Sequence, residues 1–155
     1  MSRNPQSDGV CHRSFLKQPG APNIPIQAIG LSLYESLGTE TEVEQLGTKV
    51  TRTQWLDLSS LEMKNLIGKN VLIVDEVDDT RTTLEYAVRE LQKDVETATQ
   101  QSGRSGEKTT FSIFVLHNKD KQKKGHLPQD MLSENRYLAA VTVSDVWINY
   151  PWEAT

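Results

Sequence analysis

The feature that most constrains this chain is a short apolar run that leads directly into acidic and hydroxyl-bearing residues, Val71–Thr83 (VLIVDEVDDTRTT). Four consecutive apolar residues, three of them β-branched, predict a buried strand of a parallel sheet. The acidic residues that follow would then lie at the carboxyl end of the strand, where open α/β sheets place their ligands. The simplest alternative is a core strand whose acidic end is only solvated.

The residues after the acids predict a phosphate site. Thr80–Thr83 is expected to open a helix, so that free backbone N–H groups, the helix dipole and three hydroxyls converge on one spot. Acidic groups beside a phosphate repel it unless the ligand also carries hydroxyls, a magnesium ion and a developing positive charge. A phosphorylated ribose that departs from pyrophosphate combines all three.

A phosphoreceiver domain is a rival interpretation, because it also has an apolar strand that ends in paired acids. Such a domain needs two more βα units before its phosphoacceptor. Only one helical pattern follows here before the next apolar strand, with one apolar face formed by Leu84, Ala87, Val88, Leu91 and Val95. The receiver interpretation is therefore weak.

Val71–Thr83 resembles the phosphoribosyl-pyrophosphate motif of the type I phosphoribosyltransferases, and Ser14–Thr155 is similar to the fungal hypoxanthine-guanine enzymes of that family. The resemblance implies an α/β fold with a parallel-core sheet flanked by helices and a flexible hairpin flap. The family's first strand and Gly-rich pyrophosphate loop have no recognisable counterpart. Residues 1–13 are thus expected to be an unstructured leader, and residues 14–155 a phosphoribosyltransferase domain that is incomplete at both ends.

The implied reaction transfers ribose 5-phosphate from phosphoribosyl pyrophosphate to N9 of hypoxanthine, guanine or xanthine and releases pyrophosphate. Without the pyrophosphate loop, catalysis is expected to be weak. Two alternatives stay open, a non-catalytic phosphoribosyl-pyrophosphate-binding module and a truncated, inactive gene product. The resemblance also implies Mg²⁺ as cofactor and a homodimer as the assembly.

The resemblance assigns roles to the residues of the motif. Asp75 and Glu76 are expected to hold the ribose hydroxyls, directly or through magnesium. Asp79 is expected near N7 of the base as the catalytic carboxylate. The residues of the following turn are expected to bind the 5-phosphate: Thr80, Thr82 and Thr83, with the backbone of Arg81. Asp78 is expected to be a solvated loop residue.

The purine site is expected in the second half of the chain. Trp147 would stack on the base, and the Ile148 carbonyl would accept from a guanine amino group. His117 or Lys119 would read the oxygen at position six. Glu153 stands where relatives place an acid that helps to bind magnesium and pyrophosphate.

Several other elements follow from local patterns. Ile24–Leu33 alternates like a strand, and Lys49–Leu58 predicts the second arm of a hairpin. The polar segment Tyr34–Gly47 between them predicts a mobile loop, which the resemblance would make the flap; an ordinary surface loop is the alternative. Loops are predicted at Thr97–Thr110 and at the lysine-rich Asn118–Gly125, the latter as a solvated charge run. Phe111–Leu116 and Tyr137–Val143 are predicted strands.

The bulk properties exclude several classes of protein. A chain of 155 residues with a formal charge of -4 is expected to be one domain without general attraction for nucleic acid or anionic membranes. Cys11 is the only cysteine, which favours a reducing compartment. No apolar stretch has membrane-spanning length, so a cytoplasmic location is the expectation.

Overall fold

The structure, a computed structural model, describes residues 17–34, 49–56 and 66–153. Its centre is a three-stranded sheet in which β3 (Asn70–Asp78), β4 (Thr110–Lys119) and β5 (Tyr137–Val143) follow one another in that order, and both strand pairs are parallel. This confirms the predicted α/β class with a parallel core. The expected leader, the flap between the hairpin arms and residues 57–65 lie outside the described residues.

The elements have the following bounds. A hairpin of two antiparallel strands comes first, β1 (Gly30–Tyr34) and β2 (Lys49–Gln54). The sheet strands are β3 (Asn70–Asp78), β4 (Thr110–Lys119) and β5 (Tyr137–Val143). The helices are α1 (Thr82–Gln101) and the short α2 (Gln129–Ser133), and a 3₁₀ turn spans Pro151–Glu153.

The core lies between α1 and one face of the sheet. All five apolar positions predicted for one face of α1 are buried, and they pack with residues of the sheet and of α2. The most deeply buried members are Ile67, Val88, Ile113, Val115 and Met131. An amphipathic helix that covers a parallel strand pair is the packing that its apolar period demands.

The prediction that β3 is buried on both faces is wrong for the described part of the chain. Leu72 and Val74 are each 44% exposed, whereas Val71 and Ile73 pack against the core. The reason is that β3 lies at one edge of the described sheet and α1 covers only one face. The four-residue apolar run predicted the strand correctly, but it did not indicate whether one or both faces of the strand are covered.

Two predicted boundaries also need correction. The strand expected from Ile24 begins only at Gly30, and Pro25, which has no N–H for a ladder, lies in the irregular segment before it. The loop expected from Thr97 begins only after Gln101. The hydroxyls of Thr97 and Thr99 donate to the carbonyls four residues earlier, at 2.9 and 2.7 Å, so these threonines are accommodated within the helix.

Arg52 of β2 docks the hairpin onto α1. Its guanidinium pairs with Glu90, lies 3.7 Å from Asp94 Oδ2 and stands 4.2 Å from the centre of the Trp55 ring. Trp55 Nε1 in turn donates to Asp94 Oδ2 at 2.6 Å. The predicted hairpin is thus anchored at its base. None of the helices in the described segments is long and apolar enough to cross a membrane.

Candidate functional site

The carboxyl ends of the three parallel strands bring together residues that are distant in sequence. The register pairs Val77 and Asp78 of β3 with His117 and Asn118 of β4, and Lys119 with Val143 of β5. The acids of β3 therefore lie beside the end of β4 and the segment after β5. This is the edge at which parallel sheets bind their ligands.

Asp78 is buried, so the prediction that it is a solvated loop residue is wrong. It is 1% exposed, and its Oδ2 accepts from Arg81 Nε at 3.0 Å and from the Tyr137 hydroxyl at 2.6 Å. Burial, together with the hydrogen bond to this carboxylate, raises the pKa of Tyr137. A buried carboxylate needs such partners, and the local sequence does not reveal Tyr137 as one of them.

The turn before α1 has the geometry of an anion site. Thr80 Oγ1 and Thr82 Oγ1 lie 3.1 Å apart, and the helix begins at Thr82. The first N–H groups of a helix have no intrahelical acceptor, so those at the start of α1 are available to a ligand close to these hydroxyls. Arg81 adopts the left-handed conformation (φ 69°, ψ −2°), and its side chain turns back toward Asp78.

The lysine-rich segment Asn118–Gly125 is not the solvated loop that its charge run predicted. Lys119 belongs to β4, and its side chain is only 13% exposed. Its Nζ lies 3.5 Å from Asp79 Oδ1 and 3.6 Å from Asp145 Oδ1. Lys121 Nζ joins the same two carboxylates, at 3.0 Å from Asp79 and 2.9 Å from Asp145. The segment thus folds over the acidic motif.

Asp145 and Lys121 are site residues that the sequence interpretation missed. The hydrogen bonds to Asp145 and then to Asp79 raise the pKa of Lys121, and the hydrogen bond from Lys121 lowers the pKa of Asp145. A signal for Asp145 was present, because it follows a predicted parallel strand as the motif acids follow theirs. Lys121 had no comparable signal within a run of four lysines.

Lys123 ties the lysine segment to the backbone of the motif. Its Nζ donates to the carbonyls of Asp78 (2.8 Å), Asp79 (2.9 Å) and Lys119 (2.8 Å). Burial lowers the pKa of Lys123, and the nearby Asp78 carboxylate opposes that effect. The N–H of Gly125 donates to the Thr80 carbonyl at 3.0 Å. The segment therefore packs directly against Thr80–Thr83, the turn at which a phosphate site is predicted (the phosphate turn).

His117 and Lys119, the two candidates for binding the purine oxygen at position six, have different contacts. His117 Nδ1 lies 3.0 Å from the Tyr150 hydroxyl, which also donates to the Glu76 carbonyl at 3.0 Å. Lys119 instead reaches Asp79. His117 is thus part of a contact that holds the C-terminal segment against the sheet, whereas Lys119 faces the motif.

The stacking candidate stands in solvent. Trp147 is 91% exposed, so the face of its indole is accessible to a planar ligand, and Ile148 beside it is half-buried. Trp152 stacks on Tyr150 instead, with ring centres 4.8 Å apart. The side chain of Glu153 lies outside the described part of the chain.

The carboxylates of Asp75 and Glu76 would hold magnesium only together with a bound substrate. Within the described ranges, no group of three or more His, Cys, Asp or Glu side chains is placed to hold a metal ion. Asp75 and Glu76 are adjacent, and Asp75 Oδ1 accepts from the Glu76 N–H at 3.0 Å. Magnesium commonly binds through one or two carboxylates and keeps waters and substrate phosphates as its other ligands. The pair fits that mode.

Comparisons with known proteins give a consistent result. Xanthine phosphoribosyltransferase 1 of Saccharomyces cerevisiae is 59% identical over 144 residues, which are 92% of this chain and 69% of that protein. Hypoxanthine-guanine phosphoribosyltransferase of Schizosaccharomyces pombe is 58% identical over 142 residues, 92% of this chain and 68% of that protein. No protein-family profile matches the chain.

A solved structure shares the fold. It is the crystal structure of a hypothetical protein from Neisseria gonorrhoeae with bound ppGpp, with 38% sequence identity and a TM-score of 0.62. The match covers 84% of this chain and 61% of that one. The chain therefore spans less than two thirds of the bacterial protein and slightly more than two thirds of the yeast proteins.

Proposed function

This chain belongs to the purine phosphoribosyltransferase family, and on that basis we propose that it transfers ribose 5-phosphate from phosphoribosyl pyrophosphate to N9 of a 6-oxopurine in purine salvage. The bond between ribose C1 and the pyrophosphate oxygen breaks, the bond from C1 to N9 forms, and pyrophosphate leaves. The relatives are named for xanthine and for hypoxanthine and guanine. Those three bases define the proposed substrate class.

The observation that carries the proposal is the pairing of Asp79 with Lys119. A 6-oxopurine presents N7 and O6 side by side on one edge. An ammonium and a carboxylate that lie 3.5 Å apart match that edge, with Lys119 donating to O6 and Asp79 accepting a proton held at N7. The side-by-side arrangement favours Lys119 over His117 as the reader of O6.

The sugar would lie between this pair and the phosphate turn. Thr80, Thr82 and Thr83, with the backbone N–H of Arg81, would bind the 5-phosphate at the start of α1. The transition state carries positive charge on the ribose, and fixed carboxylates stabilise such charge without reorganising. Asp75 and Glu76 lie in the carboxyl-terminal half of β3.

Asp75 and Glu76 would also hold magnesium, which supplies counter-charge for the pyrophosphate when it is bound. Glu153 remains a proposed contributor to this site. Trp147 would stack on the purine, an interaction worth about 1–3 kcal/mol per base on comparable aromatic platforms. The Ile148 carbonyl would accept from the amino group of guanine.

Transfer activity tests the proposal directly. The protein is incubated with phosphoribosyl pyrophosphate, magnesium and each of guanine, hypoxanthine and xanthine, and nucleotide and pyrophosphate are measured. Formation of both products supports the assignment. Binding of phosphoribosyl pyrophosphate without product assigns the chain to the alternative of a binding module, and neither binding nor product contradicts both.

We also propose a cytoplasmic location and a homodimer. The single cysteine of the chain agrees with a reducing compartment, and cell fractionation checks the location. Sedimentation velocity checks the dimer, for which the family resemblance is the only support.

A further inference from the structure

The left-handed backbone of Arg81 requires an explanation. A residue with a Cβ rarely adopts a φ of 69°, and a conformation of this kind persists only where the surroundings hold it. Arg81 stands directly between the hydroxyl-bearing Thr80 and the first residue of α1. Its backbone therefore decides where the N–H groups of the phosphate turn point.

A buried carboxylate holds the side chain of this residue. Arg81 donates to Asp78 Oδ2 through Nε at 3.0 Å and approaches it through Nη2 at 2.9 Å. The Tyr137 hydroxyl donates to the same oxygen at 2.6 Å, and the guanidinium lies 4.9 Å from the centre of the Tyr137 ring. The Arg81 side chain is thus fixed on two sides and directed away from the phosphate turn.

The lysine-rich segment holds the same turn from the opposite side. Lys123 Nζ lies 3.6 Å from Asp78 Oδ1 in addition to its three backbone acceptors. Lys124 and Gly125 both donate their N–H to the Thr80 carbonyl at 3.0 Å. A Cβ at position 125 would lie 2.5 Å from the Arg81 carbonyl oxygen, so the two backbones are in direct contact.

We propose that Asp78, Tyr137 and Lys123 are positioning residues, which fix Arg81 in the left-handed conformation and thereby aim the N–H groups of Thr80–Thr83 at the phosphate on ribose C5. None of the three is expected to contact the ligand itself. Their role is to supply through a buried ion pair the backbone geometry that a glycine at position 81 would adopt at no steric cost. This inference rests on the proposed function for the identity of its ligand.

The test combines two conservative substitutions with a third, Arg81→Gly, which removes the strain of the left-handed backbone at position 81. Tyr137→Phe deletes one hydroxyl, and Asp78→Asn removes the charge at nearly constant shape. Each is expected to raise the KM for phosphoribosyl pyrophosphate about tenfold, the equivalent of ~1.4 kcal/mol, while kcat and the KM for the purine stay within about twofold, since the charge-assisted contact that is lost joins Asp78 to Arg81 and Tyr137 and involves the side chain of neither Asp79 nor Lys119.

Arg81→Gly then provides the rescue. In a chain that carries this substitution, the left-handed turn needs no support, so adding Tyr137→Phe or Asp78→Asn should change the same KM by less than about twofold. Asp120→Asn, at an exposed residue of the lysine-rich segment, is the matched control and should leave every parameter unchanged. A KM that is unaffected by Tyr137→Phe, or affected equally in both backgrounds, would overturn the proposal.

A second measurement needs no substrate. Amide hydrogen exchange at Glu85, Lys124 and Gly125, whose N–H groups bond to the Arg81 and Thr80 carbonyls, should accelerate in Tyr137→Phe and Asp78→Asn but not when Arg81→Gly is also present. If Asp78→Asn does not fold, the Tyr137→Phe pair decides alone. Absence of turnover and of phosphoribosyl-pyrophosphate binding in the unmodified protein would contradict the proposed function, whereas unchanged exchange in these variants would contradict only the positioning role.

Discussion

Among single residues, Gly125 shows how closely the lysine-rich segment packs on the phosphate turn. It is buried, and an added Cβ would lie 2.5 Å from the Arg81 carbonyl oxygen and 2.9 Å from Thr82 N. Both neighbours are backbone atoms that are held by the start of α1. The need for glycine at position 125 therefore comes from close approach of two backbones.

Gly125→Ala should destabilise the protein by about 2 kcal/mol through overpacking, which corresponds to a fall in Tm of roughly 4–8 °C for a chain of this size. Thermal unfolding followed by circular dichroism measures it. Gly106→Ala is the matched control, because no atom lies within 4 Å of its added Cβ. Equal effects of the two substitutions would show that close packing at position 125 does not matter.

Asp79 offers a second prediction at this scale. Asp79→Asn keeps the shape of the side chain but removes the charge that Lys119 and Lys121 approach at 3.5 and 3.0 Å. If Asp79 manages the N7 proton, kcat should fall by roughly 10²–10⁴, the usual worth of a general acid or base. Binding of phosphoribosyl pyrophosphate, measured by calorimetry, should change much less. Equal losses of binding and turnover would remove Asp79 from the base-contacting role.

At the scale of elements, the hairpin is joined to α1 by a small charged cluster. Arg52 bridges Glu90 and Asp94, and Trp55 adds a hydrogen bond to Asp94. Burial raises the pKa of Glu90, but the hydrogen bond from Arg89 and the charge of Arg52 outweigh it, so the pKa lies below its ordinary value of 4.5. The cluster sets where the base of the hairpin sits relative to the phosphate turn.

The lowered pKa of Glu90 gives this cluster a defined pH dependence. Its contribution to stability is fully present above the unfolded pKa, near 4.5, and is lost as the pH falls through the lower folded value. Arg52→Gln should therefore lower the free energy of unfolding at pH 7 and have a smaller effect at pH 3. Urea unfolding at both pH values measures this.

Lys108→Gln is the control for that comparison, because Lys108 is exposed and lies outside the contact between the hairpin and α1, and surface substitutions of that kind change stability little. Arg52→Gln should also lower kcat more than Lys108→Gln does, since Arg52 joins the hairpin to α1. An effect of Arg52→Gln that is the same at both pH values would contradict the role of its carboxylate partners.

For the whole molecule, the decisive feature is the shared edge at which the three parallel strands end. It brings Asp75 and Glu76, the Lys119 region and Asp145 together from separate parts of the chain. A ligand that bridges these strand ends stabilises the folded state by mass action, because it binds the folded chain and not the unfolded one.

Phosphoribosyl pyrophosphate with magnesium, at about one hundred times its Kd, should stabilise the protein by ~2.7 kcal/mol, which raises Tm by roughly 5–11 °C. Replacing Asp75 and Glu76 by Asn and Gln should remove the magnesium-dependent part of this shift. Differential scanning calorimetry with and without EDTA separates the two parts. A shift that does not depend on magnesium in the unmodified protein would remove these carboxylates from the metal site.

Local pattern was sufficient for several features of this protein. The apolar run Val71–Val74 predicted a parallel strand, and the apolar period after Thr83 predicted the buried face of α1; the structure confirms both. These features depend on residue spacing and on backbone chemistry within one element. For the same reason, the sequence predicted that a helix opens within Thr80–Thr83 but not the contacts that hold the turn before it.

Tertiary structure alone decided which charges are buried and which charges they meet. Asp78 was expected in solvent and is buried against Arg81 and Tyr137. Lys123 was expected in a solvated run and donates to two carbonyls of the motif, those of Asp78 and Asp79, and to that of Lys119. Asp145 joined the site only because parallel pairing aligns strand ends that lie far apart in the chain. The cost of burying a charge depends on partners in space, and a one-dimensional pattern does not contain that information.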